Sequence, residues 1–170
     1  MRNLYLLILP VLLSSFSCSI KTDVAENELP VISSPDSLSL QASIIKETDR
    51  LTIREWIHRI CETESPDPKV IAYNFGLIQI DNGYSLYLIG SKEYDVDNSE
   101  WAFNIDFEPR MKYYPLADTI YSKLSFDKVQ TKINNELKEF TASVNFRNSF
   151  FANAKAITTG LADGNLVRIK

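Results

Sequence analysis

The stretch that decides the fold is Val-Ile-Ala-Tyr-Asn-Phe-Gly-Leu-Ile-Gln-Ile at residues 70–80, Asp-Asn-Gly at 81–83 and Tyr-Ser-Leu-Tyr-Leu-Ile at 84–89. The two outer runs are rich in β-branched and aromatic residues, which favour strands. Asn-Gly between two such runs is a strong signal for a tight hairpin turn, because both residues tolerate positive φ. This stretch therefore predicts two antiparallel strands at the start of a sheet.

Three further strands are predicted outside the hairpin. Residues 101–107 alternate strictly until Pro109, and their large apolar side chains would share one face. This strand would extend the hairpin into an antiparallel meander with one face on a core. Two shorter strands are predicted at 156–159 and 166–169, with a turn over 163–165 between them. The alternating apolar residues of the third strand are Trp101, Phe103, Ile105 and Phe107.

Two amphipathic helices complete the predicted domain. The first begins at Thr52, which has capping-box spacing to Glu55, and it ends before Pro66. The second begins after Ser125. Together with the strands, these helices predict an α+β fold, in which one or two helices cover a mostly antiparallel sheet of about five strands. The predicted apolar stripes are Ile53, Trp56, Ile57 and Ile60 in the first helix, and Phe126, Val129, Ile133, Leu137 and Phe140 in the second.

The start of the sequence has the form of an export signal. Arg2 supplies a positive charge, Leu4–Leu13 forms an apolar core, and small residues precede Cys18. This apolar run is shorter than the roughly 20 residues that a membrane-spanning helix needs. It resembles the lipobox of bacterial lipoproteins, which implies that residues 1–17 are a signal peptide and that Cys18 carries the lipid. The alternative is secretion after cleavage by the general signal peptidase at Ser15-x-Ser17.

The remaining chain divides into two parts. Residues 18–48 are rich in Ser, Asp, Glu and Pro, and we predict a lipid anchor and flexible tether there. Within this segment, the partly apolar residues 38–45 are also compatible with an edge strand or short helix docked on the domain. Residues 49–170 are predicted to form a single α+β domain. The chain carries 22 acidic and 18 basic residues, for a net charge of −4, which provides no electrostatic footprint for nucleic acid. If Cys18 is lipidated, Cys61 has no partner, and no disulfide framework is expected.

Residues 92–100, which we call the acidic loop, join two predicted strands. Three interpretations are open: a solvated loop without function, a recognition loop for a basic partner, or a calcium site that lacks the Gly and distal Glu of an EF-hand. Our working hypothesis is the recognition loop, with no metal and no cofactor. Its predicted partner-binding residues are Glu93, Tyr94, Asp95, Asp97, Glu100 and Trp101.

Enzyme signatures are missing from the sequence. It contains no Gly-x-Ser-x-Gly, no His-Glu-x-x-His and no Gly-rich phosphate loop. The single His58 falls on the polar face of the first helix with Glu62 at i+4, which indicates a surface residue instead of a catalytic base, and Cys61 lies at the edge of the apolar face. Asp106 and Glu108 share a face of the predicted third strand and are the candidate pair for a glycan hydrolase. We predict that the protein is not an enzyme.

The body also resembles a small bacterial domain associated with immunity-type proteins that neutralise toxins. The resemblance covers about two thirds of the chain, brings no catalytic motif, and implies a protein-binding surface. It is carried by Asn74-Phe75-Gly76-Leu77, by Gly83-Tyr84 through Tyr94-Asp95, by Trp101-Ala102-Phe103-Asn104 with Asp106-Phe107-Glu108-Pro109, and by Lys155-Ala156-Ile157-Thr158-Thr159-Gly160 through Asp163-Gly164 to Arg168.

These observations lead to one main hypothesis and two alternatives. The main hypothesis is a binding module anchored by lipid to the inner or outer membrane of the cell envelope, exposed to the periplasm or the cell surface, that neutralises a toxin by occlusion. The first alternative is an envelope hydrolase that uses a carboxylate pair. The second is a structural lipoprotein of a larger envelope complex.

Overall fold

The computed structural model describes residues 43, 44, 48, 51–81, 83–161 and 165–170. The predicted signal peptide, Cys18 and most of the predicted tether lie outside the described residues, as does the centre of the predicted turn at 163–164. Within the described ranges the chain is an α+β domain with a five-stranded, mostly antiparallel sheet. The predicted fold class is therefore confirmed.

The first helix, α1 (Ile53–Thr63), begins as the sequence predicts. The Thr52 hydroxyl accepts a hydrogen bond from the Glu55 N–H at 3.2 Å, and the Glu55 carboxylate accepts one from the Thr52 N–H at 2.8 Å. This capping box satisfies two N–H groups that have no partner inside the helix, and it lowers the pKa of Glu55. The predicted apolar face is buried along its whole length: Ile53, Trp56, Ile57 and Ile60.

Just before α1, Ser43, Ile44 and Thr48 have helical backbone conformation. The Thr48 hydroxyl donates to the Ile44 carbonyl at 2.8 Å, and Thr48 is only 1% exposed. Ile44 packs against the main hydrophobic core. These residues of the segment predicted to be a tether therefore contact the folded domain.

The hairpin is confirmed. Strand β1 (Ala72–Ile80) pairs with β2 (Gly83–Ser91) in antiparallel register, with Leu77 opposite Leu86. Fourteen of the eighteen residues of the two strands are buried, because both faces of the sheet are covered away from the turn. β1 and β2 are the central strands around which the other elements are placed.

The three outer strands attach on both sides of the hairpin. Strand β3 (Tyr113–Pro115) pairs antiparallel with β2, and β4 (Ala156–Gly160) pairs parallel with β1. Strand β5 (Val167–Arg168) is antiparallel to β4, which gives the order β3-β2-β1-β4-β5. The two predicted C-terminal strands are thus present, and the β1–β4 pair is the one parallel contact in this sheet.

The predicted third strand is wrong. Ser99–Phe103 forms a 3₁₀ helix, and within the predicted strand only Phe107 makes a β-bridge, to Gly90. The alternating side chains do not share a buried face, since Phe103 is 56% and Ile105 is 50% exposed. The physical reason is competition for the edge of β2, which is occupied by β3, a segment in which the sequence patterns predict no strand.

The remaining helices cover one face of the sheet. Two are single turns, α2 (Asp118–Tyr121) and α4 (Val144–Arg147), and a short 3₁₀ helix follows at Phe150–Asn153. The long helix α3 (Phe126–Ala142) begins after Ser125, whose side chain makes no capping hydrogen bond. Its predicted stripe is confirmed, with Val129, Ile133, Leu137 and Phe140 buried and Phe126 half-buried.

The two faces of the sheet are covered differently. On the helical face, Phe75 of β1 packs against Phe151 and against Trp56, whose Nε1 donates to the Met111 carbonyl at 2.8 Å. On the opposite face, a smaller cluster joins two strands to the 3₁₀ helix of residues 99–103. Its buried members are Ala72, Trp101, Ala102 and Ala156. No helix in the described part of the chain is long and apolar enough to cross a membrane.

Candidate functional site

The acidic loop and the 3₁₀ helix after it form one segment whose ends are tied together. Gly90 and Phe107 exchange backbone hydrogen bonds of 2.9 and 3.0 Å, and the Lys92 N–H donates to the Asp106 carboxylate at 2.8 Å. The Lys92 ammonium also lies 3.0 Å from the Asp67 carboxylate. A surface loop closed in this way is an Ω-loop, and its ends are held on the rigid sheet.

Two aromatic residues of the predicted site fix the interior of this loop. Trp101 is 4% exposed and packs with Ala102 on the small residues Ala72 and Ala156 of the sheet. The Tyr94 ring meets the Trp101 ring edge to face, with centroids 5.4 Å apart. Trp101 thus holds Tyr94 in position, and Tyr94 is the one of the two rings that is partly exposed.

The four carboxylates of the predicted site all lie on the exposed side of the loop. Their hydrogen bonds are local: Glu93 accepts from Asn104 Nδ2 at 2.7 Å, and Asp95 accepts from the Asp97 N–H at 2.9 Å. Within the described residues none of the four forms an ion pair with a Lys or Arg side chain. The loop therefore presents uncompensated negative charge: Glu93, Asp95, Asp97 and Glu100.

Three large apolar side chains are exposed in the same segment. Val96 is 70% exposed, and Phe103 and Ile105 follow with 56% and 50%. The bond between Glu93 and Asn104 places a carboxylate beside the residues that flank Asn104. Sequence reasoning missed Phe103 and Ile105 as surface residues, because their alternation predicts a strand facing the core. Exposed apolar groups beside unpaired charges are typical of a surface that contacts another molecule.

A cleft of about 320 Å³ lies between the acidic loop and the edge formed by β4 and β5. Arg168 of β5 lies on the sheet side, with its guanidinium 5.7 Å from the centre of the Tyr94 ring, and the Lys155 ammonium lies 6.0 Å from that centre. The cleft thus has carboxylates on the loop side and a cation on the sheet side. Its lining residues are Tyr94, Asp95, Val96, Asp97, Ser99, Trp101, Thr158, Asn165, Leu166 and Arg168.

A larger cavity of about 520 Å³ lies beside β3. Glu108 and Lys112 line it and pair with each other at 2.6 Å, so their charges are already compensated. The cleft under the acidic loop is smaller, but the charged groups that line it have no ion-pair partner among the described residues. We therefore take the acidic loop and its cleft as the candidate site.

The two carboxylates of the hydrolase alternative have different partners in the structure. Asp106 accepts from the Lys92 N–H and has the Lys92 ammonium at 3.8 Å, whereas Glu108 pairs with Lys112. They do not share a strand face, because residues 104–106 are not a strand. Asp106 instead fastens the base of the acidic loop.

The groups considered for metal and nucleophile chemistry are placed as follows. Across the described ranges, no three His, Cys, Asp or Glu side chains come together to hold a metal ion. His58 is on the polar face of α1, 3.3 Å from Glu62, as predicted. Cys61 is half-buried, and burial raises the pKa of its thiol to about 11, which disfavours the reactive thiolate.

No known family model matches the chain, and no curated protein or solved structure shows significant similarity to it.

Proposed function

We propose that the protein is a lipid-anchored binding module of the cell envelope, of the immunity type, that neutralises a basic partner protein by covering its surface. The observation that carries this proposal is the exposed loop in which four unpaired carboxylates accompany three exposed apolar side chains. Unpaired charge steers a partner of opposite charge during approach, and apolar contact stabilises the complex once water is excluded.

The construction of the loop supports binding by a preformed surface. Its ends are tied at Gly90 and Phe107, and Trp101 fixes its interior. A loop held in one conformation loses little conformational entropy on association, so more of the contact energy appears as affinity. The Tyr94 ring, held against Trp101, adds a partly exposed aromatic group of the kind that is enriched at interfaces.

The membrane anchor is proposed from the leader. The apolar run before Cys18 favours export, and acylation of Cys18 would fix the domain at a membrane, because each buried CH₂ contributes about 0.8 kcal/mol. The intact mass of the mature protein tests this directly. Cleavage before Cys18 with an added diacylglyceryl mass is expected, whereas a mature protein with an unmodified Cys18 would contradict the anchor.

Affinity capture from the cell of origin, with the anchored protein tagged at its C-terminus and extracted in mild detergent, identifies the partner. A basic toxin-like protein in stoichiometric amount is the expected result. Recovery of housekeeping envelope proteins instead would favour the structural alternative.

The loop assignment is tested by association kinetics with that partner. The test variant removes the loop charges as Glu93→Gln, Asp95→Asn, Asp97→Asn and Glu100→Gln. A control variant makes the same charge change elsewhere, at the exposed residues Asp81, Asp127, Glu136 and Glu139. The test variant should associate about tenfold or more slowly at low salt and lose most of its salt dependence, while the control retains both. Equal kinetics for the two variants would refute the loop assignment.

A further inference from the structure

Opposite charges line the cleft between the acidic loop and β5 without neutralising each other. The Asp95 carboxylate is turned toward the Asp97 N–H at 2.9 Å. On the other side, Arg168 donates from Nε to the Lys170 carbonyl at 2.6 Å and from Nη2 to the Lys155 carbonyl at 3.1 Å. In the described part of the chain no ion pair joins Arg168 to either aspartate. Local hydrogen bonds to the backbone thus hold the two kinds of charge in place.

Arg168 retains the capacity to bind an anion. Its guanidinium has five N–H donors, and the two bonds to carbonyls use two of them. A planar guanidinium with adjacent free donors is well suited to a carboxylate, which it can bind through two parallel hydrogen bonds. The second cation, Lys155, lies on the same side, 6.0 Å from the centre of the Tyr94 ring.

A polar pair adds an acceptor to the sheet side of the cleft. Thr158 lines the cleft, and its hydroxyl donates to Asn74 Oδ1 at 3.0 Å in the adjacent strand. Since that bond uses the hydroxyl proton, the oxygen lone pairs of Thr158 can accept from a donor in the cleft. Asn74 is fully buried, and its Nδ2 has no hydrogen-bond partner in the described structure, so this pair is kept in the sheet despite an energetic cost.

The size and the apolar lining limit what the cleft can hold. A volume of about 320 Å³ is at the lower end of the range of small-molecule sites. Val96 and Leu166 contribute the aliphatic part of the lining. A matching ligand is therefore small, and it carries a positive group, a negative group and an apolar part.

We propose that this cleft binds a small zwitterion with a free α-ammonium and a free α-carboxylate, namely an amino acid or dipeptide with an apolar side chain. The ammonium lies at Asp95 and Asp97, with Thr158 as a further acceptor, and the carboxylate lies at Arg168. The proposal requires no partner protein, although the cleft shares Asp95 and Asp97 with the partner-binding surface. Glu93 and Glu100 of that surface do not line the cleft, so the two kinds of binding can be tested separately.

Calorimetric titration of the full chain in detergent tests this proposal, with L-leucine and L-alanyl-L-leucine as probes. Each probe is compared with its N-acetyl and C-amide analogues, which lack one of the two charges. At least one zwitterion should bind with one-to-one stoichiometry and a Kd below about 1 mM. Both blocked analogues should bind at least about tenfold more weakly, because a hydrogen bond to a charged group contributes about that factor. If only leucine binds, the ligand is a free amino acid, and if only alanyl-leucine binds, the ligand is a dipeptide.

Variants locate the two charges. Arg168→Gln should remove the preference for the zwitterion over its amide, and Asp95→Asn with Asp97→Asn should remove the preference over the N-acetyl form. Arg147→Gln, and Asp81→Asn with Asp127→Asn, make the same charge changes at exposed positions outside the cleft and should leave both preferences intact.

Two results would overturn the proposal. One is that neither zwitterion binds the native protein better than its blocked analogues, a comparison that needs no variant to fold. The other is that folded Arg168→Gln keeps the full preference over the amide. Glu93→Gln with Glu100→Gln should not change zwitterion binding, so failure here and failure of the partner-binding proposal are distinguishable.

Discussion

Gly76→Ala should destabilise the protein although alanine is ordinarily the better residue inside a strand. Gly76 lies in the centre of β1, directly opposite Tyr87 of β2. A Cβ built on Gly76 would overlap the Tyr87 ring at Cζ, Cε1 and Oη. Tyr87 is only 9% exposed, so the ring cannot leave this position without losing its burial.

The magnitude follows from two opposing effects. Without the ring, replacing a strand glycine by alanine is worth about 0.5–1 kcal/mol in favour of the folded state. With the ring, the protein loses the burial of an aromatic side chain, about 1.5–3 kcal/mol, or accepts an overpacked sheet at about 1–3 kcal/mol. The free energy of unfolding should therefore fall by about 1–2 kcal/mol on balance.

Urea denaturation, followed by circular dichroism, measures this in a double-mutant cycle with Tyr87→Ala. In the Tyr87→Ala background the Gly76→Ala change should be neutral or stabilising, which gives a coupling energy of about 2 kcal/mol between the two positions. Two results would show that the Tyr87 ring is not the cause of the destabilisation. One is that Gly76→Ala is harmless in the native background, and the other is that it destabilises both backgrounds equally.

Three other predictions concern the core and the caps. Thr52→Ala should lower the free energy of unfolding by about 1 kcal/mol, because the capping box is lost. Ser125→Ala should change it by less than about 0.5 kcal/mol, because the Ser125 side chain makes no capping hydrogen bond. Equal losses of unfolding free energy for the two variants, measured by urea denaturation, would contradict this. Trp56→Phe should cost about 1–3 kcal/mol by the same assay, since the buried Met111 carbonyl loses its donor, and a neutral change would refute the role of that bond. Burial raises the pKa of the Cys61 thiol from 9.0 to about 11, so at about pH 8 it should react with iodoacetamide about a hundredfold more slowly in the folded protein than in urea. Mass spectrometry of the peptide that contains Cys61 measures the two rates, and similar rates would contradict its burial.

The parts of the fold that sequence patterns predict correctly are those decided by neighbouring residues. The capping box at Thr52 and Glu55 depends on residues three apart, and the hairpin depends on a turn between adjacent runs. The stripe of α3 is also local, because a helix satisfies its own backbone hydrogen bonds and needs only one apolar face. In each case, residues close together in the sequence determine the structure that forms.

The misplaced strand shows where local patterns are insufficient. Residues 101–107 alternate as a strand should, but a strand also needs a partner with a free edge. The outer edge of β2 is occupied by β3, and the outer edge of β1 is occupied by β4. β4 follows β1 by more than 60 residues along the chain. Which segment wins an edge depends on packing between distant parts of the chain, and alternation in seven residues carries no information about that competition.

The candidate site also has one part that the sequence predicts and one part that depends on tertiary packing. The charge and exposure of the acidic loop follow from its composition, and the structure places all four carboxylates on the surface. The cleft could not be predicted, because Arg168 and Asp95 are brought together by the pairing of β4 with β1 and of β5 with β4. Trp101 looks like a contact residue in the sequence, yet its burial on Ala72 and Ala156 is a tertiary property.

The late position of β4 has a consequence for how the chain is made. β1 is completed on one side by the hairpin, but its other edge stays open until residues 156–160 have been synthesised. During that interval an apolar strand that includes Phe75 and Leu77 presents unpaired N–H and C=O groups. Such an edge can pair with another chain, so the nascent protein is most vulnerable to aggregation between completion of the hairpin and arrival of β4. A chaperone that holds the chain unfolded until then would protect the strand on which the whole sheet is assembled.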